Sequence, residues 1–209
     1  MNFEIQDWGL IDFQEAWDKQ KELVTAIQQG EKKSTLVLCS HPLVITMGRN
    51  SSYDNLVLPR EEYENRNINV IDINRGGDVT LHNENQLVGY PIFNLNDFKP
   101  DLHWFLREIE EAIINTVGEL GIASSRVNDL TGVWIENQRK ICAIGLHCSR
   151  WVTSHGFALN VCNNVKDFDY IVPCGIDDKE VTSIRDEIGT DVDMNNVKNI
   201  VVEKFSELF

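Results

Sequence analysis

Short apolar runs recur along this chain of 209 residues, each bounded by glycine, proline or polar residues, and amphipathic stretches lie between some of them. Runs of this length are typical of β-strands, and polar breaks between neighbouring runs are typical of hairpins. Strands are predicted at residues 3–11, 34–39, 43–47, 68–73, 79–81, 87–95, 122–127, 132–135, 140–148 and 154–161. Pro91 indicates an irregular or edge position in its strand, because proline cannot donate to the strand ladder.

Helices are predicted early, in the middle and at the end of the chain. Asp12 is the expected N-cap of the first helix and Gly30 its stop. The clearest helical pattern begins at Pro100 and Asp101 and ends at Gly121, with one continuous apolar face. Further helices are predicted at residues 59–66, 181–187 and 192–208. Single strands and hairpins among such helices predict an α+β fold: one domain over residues 1–209, with a mixed or antiparallel sheet flanked by helices.

Charge and cysteine content argue against several classes of protein. The net charge is −14, so bulk attraction to nucleic acid or to an anionic membrane is not expected. No apolar run approaches the roughly 20 residues that cross a bilayer. The first ten residues carry acids and no basic segment, which is not typical of a secretory signal. The five cysteines include no C-x-x-C pair, so we expect no metal site and reduced thiols in the cytoplasm.

The first candidate site segment follows a predicted strand and reads Arg75-Gly76-Gly77-Asp78-Val79-Thr80-Leu81-His82. Paired glycines let a backbone adopt positive φ and approach a ligand closely. Arg75 and His82 bracket the segment with groups that form hydrogen bonds. It is interpreted as a cradle for a small molecule, and an ordinary Gly-Gly turn is the alternative. It lacks the G-x-x-x-x-G-K-[ST] pattern of a phosphate loop.

The second candidate is Thr153-Ser154-His155-Gly156, which is predicted as a turn. A histidine beside glycine in a turn can present its ring to a cleft. It can equally cap the local backbone, and the pattern does not decide between the two roles.

The third candidate pairs Cys174 with Lys140. Cys174 lies between Pro173 and Gly175 after an apolar run, in a loop where a thiol is easily reached, whereas Lys140 begins a predicted strand. A free thiol has a pKa near ~8.5, and an ammonium about 4 Å away is worth up to ~4 kcal/mol at an effective dielectric constant of 20. Lys140 could therefore stabilise the thiolate, or as a neutral amine it could remove the thiol proton. The alternative is that Lys140 is a solvated strand end.

Taken together, these segments resemble the octanoyltransferase family of lipoate biosynthesis. The resemblance extends from about Leu36 to Ser183. The matching positions follow the family order: Arg75-Gly76-Gly77, Thr80, His82, Gln86, Tyr90-Pro91, Arg139-Lys140-Ile141, Ala143-Ile144-Gly145, residues 153–158, Leu159-Asn160, Pro173-Cys174-Gly175 and Thr182-Ser183.

The resemblance implies a fold similar to the catalytic module of biotin and lipoate protein ligases. It implies that Cys174 takes an octanoyl group from acyl carrier protein as a thioester and passes it to a lysine on a lipoyl domain of the 2-oxoacid dehydrogenases or the glycine cleavage system. Lys140 would lower the pKa of the thiol, and no cofactor would be needed because thioester exchange is close to isoenergetic. The expected substrate-binding residues are Arg75, Gly76, Gly77, Asp78, Val79, Thr80, Leu81, His82, Ala143, Ile144, Gly145, Gly156, Phe157 and Ala158.

The chain departs from the family at one loop. His82-Asn83-Glu84-Asn85-Gln86 stands where the family usually has His-Gly-Pro-Gly-Gln. Asparagine tolerates positive φ better than most residues, so the turn can be retained.

The acidic chain would repel an acidic carrier protein, so we expect a local basic patch at the site mouth. Its expected members are Arg49, Arg75, Arg139, Lys140, Arg150 and His147. Two alternative functions are an ATP-dependent lipoate-protein ligase and a non-catalytic protein that binds lipoyl domains. A Cys-His hydrolase using Cys174 and His155 has little support beyond residue types.

Overall fold

A large mixed sheet forms the centre of the molecule in the computed structural model, which describes residues 2–172 and 179–209. Its strands lie in the order β1-β2-β6-β10-β9-β8-β7. Their bounds are β1 Glu4–Leu10, β2 Thr35–Ser40, β6 Gln86–Ile92, β7 Ser125–Val127, β8 Leu130–Ile135, β9 Arg139–Ser149 and β10 Val152–Asn160. Most neighbours are antiparallel, and β1 pairs with β2 in parallel.

A smaller sheet packs beside the large one. It has the order β4-β3-β5, with β3 at Val44–Met47, β4 at Asn69–Asp72 and β5 at Thr80–His82. The short strand β11, Glu180–Val181, adds in parallel to the start of β9, so that Val181 is paired with Lys140. Residues just after the undescribed segment are therefore bound to the strand that carries Lys140.

The helices begin and end close to where the sequence predicts. They are α1 Phe13–Gln28, α2 Arg60–Asn65, α3 Leu102–Glu119, α4 Ile184–Ile188 and α5 Met194–Leu208. Asp12 caps α1 by accepting hydrogen bonds from the backbone N–H groups of Gln14 and Glu15, and Asp101 caps α3 in the same way. No helix in the described part of the chain combines the length and apolar character that crossing a bilayer requires.

The two faces of the large sheet have separate cores. Because successive strand residues point to opposite faces, Phe157 and Leu159 of β10 pack under α3 and α5, whereas Ala158 packs under α1. The ring of Phe157 stacks on that of Phe205 with centroids 5.7 Å apart. The helices thus flank the sheet on both sides, and the predicted α+β architecture is confirmed.

Three local predictions need correction. Strand β6 is an interior strand between β2 and β10, so Pro91 is not at a sheet edge. Its missing N–H is tolerated because the pairing of β6 with β10 stops at Gly89. Residues 153–156 belong to strand β10, in agreement with the strand predicted at 154–161, and the turn predicted at 153–156 is wrong. The helix predicted at 181–187 is shorter, because β11 occupies its first positions.

The turn of this region begins three residues earlier than expected. Arg150 and Trp151 both have positive φ, 49° and 64°, and they join β9 directly to β10. This is the backbone of a two-residue hairpin loop whose twist matches that of the strands. Neither residue belongs to the Asn and Gly types that usually mark such a loop, so residue types alone do not predict it.

Candidate active site

A cavity of about 360 Å³ lies where the α1 face of the large sheet meets the small sheet. Its volume is within the roughly 300–1,000 Å³ of small-molecule pockets. Its walls come from α1, from strands β5, β6, β8, β9, β10 and β11, and from the loops around residues 75–79 and Asp129. Segments that are remote along the chain therefore converge on one space.

The loop that begins at Arg75 is fixed on both sides by backbone hydrogen bonds. The N–H of Gly76 donates to Leu146 O of β9 at 2.8 Å, and the N–H of Arg49 donates to Arg75 O at 3.0 Å. A Cβ on Gly145 would lie 2.8 Å from Gly76 O. Glycine at position 145 is therefore required for the loop to approach β9 this closely.

Arg75 is buried, and its guanidinium connects the loop to the small sheet through hydrogen bonds. Its Nη2 donates to the backbone O of Thr46 at 2.7 Å and to Thr46 Oγ1 at 3.0 Å. Its side chain also borders the cavity. The guanidinium thus places a fixed positive charge at the cavity wall.

Asp78 connects the same loop to a neighbouring turn. Both of its carboxylate oxygens accept from Asn55 Nδ2, at 2.9 and 2.8 Å. Asn55 also accepts the backbone N–H of Val172 at 2.8 Å. The last described residue before position 173 is therefore tied, through Asn55, to a residue of the cavity wall.

Strands β9 and β10 form the opposite wall through directly paired residues. Ala143 is paired with Ala158, and Gly145 with Gly156. A Cβ on Gly156 would collide with Gly89 O of β6 and lie 2.6 Å from Pro91 Cδ. Glycine at position 156 therefore lets β6 approach β10 this closely.

Two buried histidines border the cavity in the neutral form. Burial lowers the pKa of His82 to about 3, and nearby His41 contributes in the same direction. Burial, followed by the charge of Arg75, lowers the pKa of His155 to about 3. His155 has a positive φ of 58°, and its Nε2 lies 2.8 Å from Asn74 Oδ1. Both rings are uncharged acceptors or donors at neutral pH.

Lys140 lies near the start of β9, between β8 and β11, and borders the cavity. Its Nζ is 4.6 Å from the ring centroid of Trp134, within the range of a cation–π contact. The N–H of Thr182 donates to its backbone O at 3.0 Å. The strand, the indole ring and β11 thus orient this side chain.

A buried carboxylate holds the loop next to Lys140. Glu110 of α3 is fully buried and accepts from Arg107, Arg126 and the backbone N–H of Gly132, at 2.7, 3.0 and 3.0 Å. The start of β8, which borders the cavity at Leu130 and Thr131, is thereby bound to α3.

Most of the expected substrate-binding residues border this one cavity, with two exceptions. Gly76 does not border it and contributes backbone hydrogen bonds instead. Leu81 does not border it either, because the strand alternation turns its side chain into the core beside Ile45 and Tyr63. Cys174, the expected nucleophile, lies outside the described residues.

Several cavity residues were not singled out from the sequence. They are Phe13, Asn50, Ile73, Val88, Asp129, Leu130, Thr131, Phe168 and Val181. Phe13 looked like one more apolar position of α1, and only the packing shows that its ring stacks on His82 with centroids 5.8 Å apart. Tyr90 and Asn160 were noted only as parts of the family pattern.

The expected basic patch is smaller than predicted. Arg75 is buried in the cavity wall, and Arg139 is paired with the carboxylates of Glu136 and Glu187 at 2.8 and 3.0 Å. Arg49 and Arg150 are exposed. The charge of Arg49 reaches His147, since after burial it is the second cause that lowers the pKa of that ring.

In residues 2–172 and 179–209, no group of three or more His, Cys, Asp or Glu side chains is arranged to hold a metal ion. Cys39 and Cys142 are buried, and burial raises the pKa of both thiols. Such thiols pack as small core residues.

Comparison with known proteins identifies the family. Residues 12–206 match the lipoyl protein ligase A/B catalytic domain. An octanoyltransferase of Cytophaga hutchinsonii is 44% identical, over 98% of this chain and 91% of its own length. One of Bacteroides fragilis is 43% identical, over 92% of this chain and 91% of its own.

Solved structures share the fold at much lower identity. A putative lipoate protein ligase of T. acidophilum with bound lipoic acid has a TM-score of 0.76 and 14% identity, covering 100% of this chain and 86% of its own. Biotin protein ligase of Aquifex aeolicus has a TM-score of 0.55 and 14% identity, covering 99% and 67%. The chain belongs to the lipoyl protein ligase A/B catalytic domain family and, within it, to the octanoyltransferases.

Proposed function

We propose that this octanoyltransferase takes its octanoyl group from acyl carrier protein and transfers it to a lysine of a lipoyl domain. Cys174 would carry the group as a thioester between the two steps, and Lys140 would lower the pKa of its thiol. The observation that supports this most directly is the convergence of Lys140, the loop 75–80 and the paired segments 143–145 and 156–158 on one cavity.

The cavity suits the acyl group in both size and chemistry. Ala143, Ile144 and Ala158 supply an apolar wall, and burial of an alkyl chain is worth about 0.8 kcal/mol for each CH₂. Arg75 and the backbone of the loop supply polar groups at the other side. Such a mixed wall fits a thioester, which is apolar along its chain and polar at its carbonyl.

The segment that contains Cys174 is anchored at both flanks to this site. On one side Val172 is bound to Asn55, and on the other side Val181 pairs with Lys140 and borders the cavity. Cys174 follows Val172 by two positions along the chain. The bonds of the described flanking residues to this site support its proposed role.

The acceptor would be a lipoyl domain of the 2-oxoacid dehydrogenases or the glycine cleavage system. The exposed Arg49 and Arg150 are the candidate contacts for an acidic carrier protein. A cytoplasmic location stays a prediction from the sequence.

An octanoyl adduct detected by intact mass is the test of the nucleophile. Incubation with octanoyl-acyl carrier protein, without ATP, should add one octanoyl group to the wild type and none to Cys174→Ala. Cys148→Ala is the matched control, since that half-buried thiol lies on β9 outside the cavity wall, and it should still acquire the adduct. An adduct that persists on Cys174→Ala would place the nucleophile elsewhere.

A further inference from the structure

The side chain of Gln86 fixes which nitrogen of His82 carries the proton. Gln86 Nε2 donates to the backbone O of Leu81 at 3.2 Å and to Asn160 Oδ1 at 2.9 Å. A backbone carbonyl only accepts, so the amide orientation is settled and Gln86 Oε1 faces His82 Nδ1 at 2.8 Å. His82 Nδ1 must therefore be the donor, and in a neutral ring Nε2 is left without a proton.

A second group in the cavity wall is also an acceptor. His41 Nδ1 donates to the backbone O of Ile11 at 2.8 Å, and burial lowers the pKa of His41, so its Nε2 is unprotonated. The hydroxyl of Tyr90 lies 2.7 Å from that Nε2 and donates to it. The hydroxyl proton of Tyr90 is thus already used, and its oxygen can only accept from a ligand in the cavity.

These acceptors do not match an acyl group. An octanoyl thioester offers a carbonyl oxygen, which is itself an acceptor, and an alkyl chain that forms no hydrogen bonds. The other reactant of the transfer is an amine, which does carry N–H donors. An unprotonated ring nitrogen in this mixed wall therefore fits the amine better than the acyl group.

We propose that Gln86 is a positioning residue that holds His82 with Nε2 as an acceptor for an N–H of the attacking lysine amine. The inference rests on the proposed function, because it concerns its second step. In that step the amine nitrogen attacks the thioester carbon and the C–N bond forms. The C–S bond breaks, and the proton lost from the nitrogen goes to the departing sulfur. His82 accepts from the second N–H and orients the lone pair.

The groups around His82 favour a neutral ring. Arg75 from the loop before β5, His41 from the loop after β2 and His155 from β10 all disfavour a second proton on it. Phe13 of α1 stacks on its face. No carboxylate is among the groups that shift its pKa, so a carboxylate placed at position 86 would be a new influence.

The test separates the two half-reactions of the full chain. Formation of the acyl-enzyme from octanoyl-acyl carrier protein is followed by intact mass, and single-turnover transfer to an isolated lipoyl domain is followed afterwards. Gln86→Leu should leave acyl-enzyme formation unchanged and slow transfer by about 10- to 100-fold, the effect of one lost buried hydrogen bond. Gln14→Leu, at an exposed position of α1, is the matched control and should change neither step.

Gln86→Glu provides a readout that a structural role would not affect. Its carboxylate still accepts from Nδ1 and raises the pKa of His82, but the oxygen that replaces Nε2 cannot donate to Leu81 O and Asn160 Oδ1. The readout is therefore the pH dependence: transfer should fall as the pH drops through the raised pKa, when Nε2 gains a proton. Gln86→Leu should be slow at every pH.

Three results would overturn the inference. One is equal slowing of both half-reactions in Gln86→Leu, and another is a Gln86→Glu variant whose transfer rate depends on pH no more than that of Gln86→Leu. The third is read on the wild type itself: long-range ¹H–¹⁵N spectra of the ¹⁵N-histidine-labelled protein, with the His82 signals assigned by comparison with His82→Gln, would show the His82 proton on Nε2. Absence of any adduct on the wild type would instead contradict the proposed function, whatever the state of Gln86.

Discussion

The position of Lys140 is set by neighbours that have no proposed role in the reaction. The indole of Trp134 lies beneath its ammonium group, and β11 pairs with its backbone. An ammonium close to a thiol lowers the pKa of the thiol, because the charge stabilises the thiolate. The structure places the ammonium at the cavity, and the proposed partner lies on the segment between Val172 and Lys179.

Lys140→Ala should therefore change the pH dependence of acylation as well as its rate. Without the ammonium the thiol returns towards its ordinary pKa of about 8.5, and only about 3% is thiolate at pH 7. Stopped-flow acylation should be roughly 30-fold slower than wild type at pH 7 and approach it near pH 9. Lys32→Ala, an exposed lysine, is the control. A pH–rate profile identical to wild type would remove Lys140 from the mechanism.

Strands and helices were predictable where one local pattern decided them. The caps Asp12 and Asp101 and the apolar face of α3 carry their own signals, and the structure confirms them. The hairpin at Arg150 and Trp151 and the two-residue strand β11 have no such signal, because tertiary pairing imposes them.

The residues of the candidate site also fall into those that a local pattern predicts and those that only contacts across the fold reveal. The loop 75–82 was found from its glycines, whereas the place of Phe13 and the tie between Gln86 and Asn160 depend on contacts across the fold.

The loop 82–86 makes contacts with a remote segment that only the folded structure shows. Asn85 has a φ of 63° and so supplies the left-handed turn that the departure from the family pattern put in question. Asn83 is buried and its side chain forms hydrogen bonds with the segment 163–167. Its Oδ1 accepts from Asn163 Nδ2 at 2.9 Å, and its Nδ2 donates to Asp167 Oδ2 at 2.8 Å. This segment includes the 3₁₀ helix Val165–Tyr170, which carries the cavity residue Phe168.

Asn83→Gly, which restores the residue usual in the family, should therefore destabilise this chain. It removes the hydrogen bonds to the 163–167 segment and leaves buried polar groups unpaired, at a cost of about 1–3 kcal/mol in the free energy of unfolding. Urea denaturation measures the change. Asn67→Gly is the control, since Asn67 is exposed with a φ of 56° that glycine adopts readily. Equal stability of Asn83→Gly and wild type would show that the crossing hydrogen bonds contribute nothing.

The molecule as a whole brings its two sheets together over buried neutral histidines. His41, His82 and His155 are each at most 7% exposed, and desolvation is the first cause of the lowered pKa in all three. The rings of His41 and His82 lie 5.7 Å apart, and Phe13 packs against both. Protonation of either ring would place a charge at the junction of the sheets.

The free energy of unfolding should therefore fall as the pH is lowered from about 6.5 towards 3. In this window the unfolded chain binds protons at histidines that the folded protein keeps neutral, so the unfolded state gains stability as the pH falls. At pH 5 a histidine with a folded pKa near 3 contributes a loss of about 2 kcal/mol relative to pH 7.5. Urea denaturation at pH 7.5 and 5.0 measures the loss, and few carboxylates titrate between these values. His155→Gln should reduce the pH dependence by about that amount, whereas His103→Gln on the exposed side of α3 should leave it unchanged. If the two variants lose stability in parallel with wild type between these pH values, His155 is not a buried neutral ring in solution.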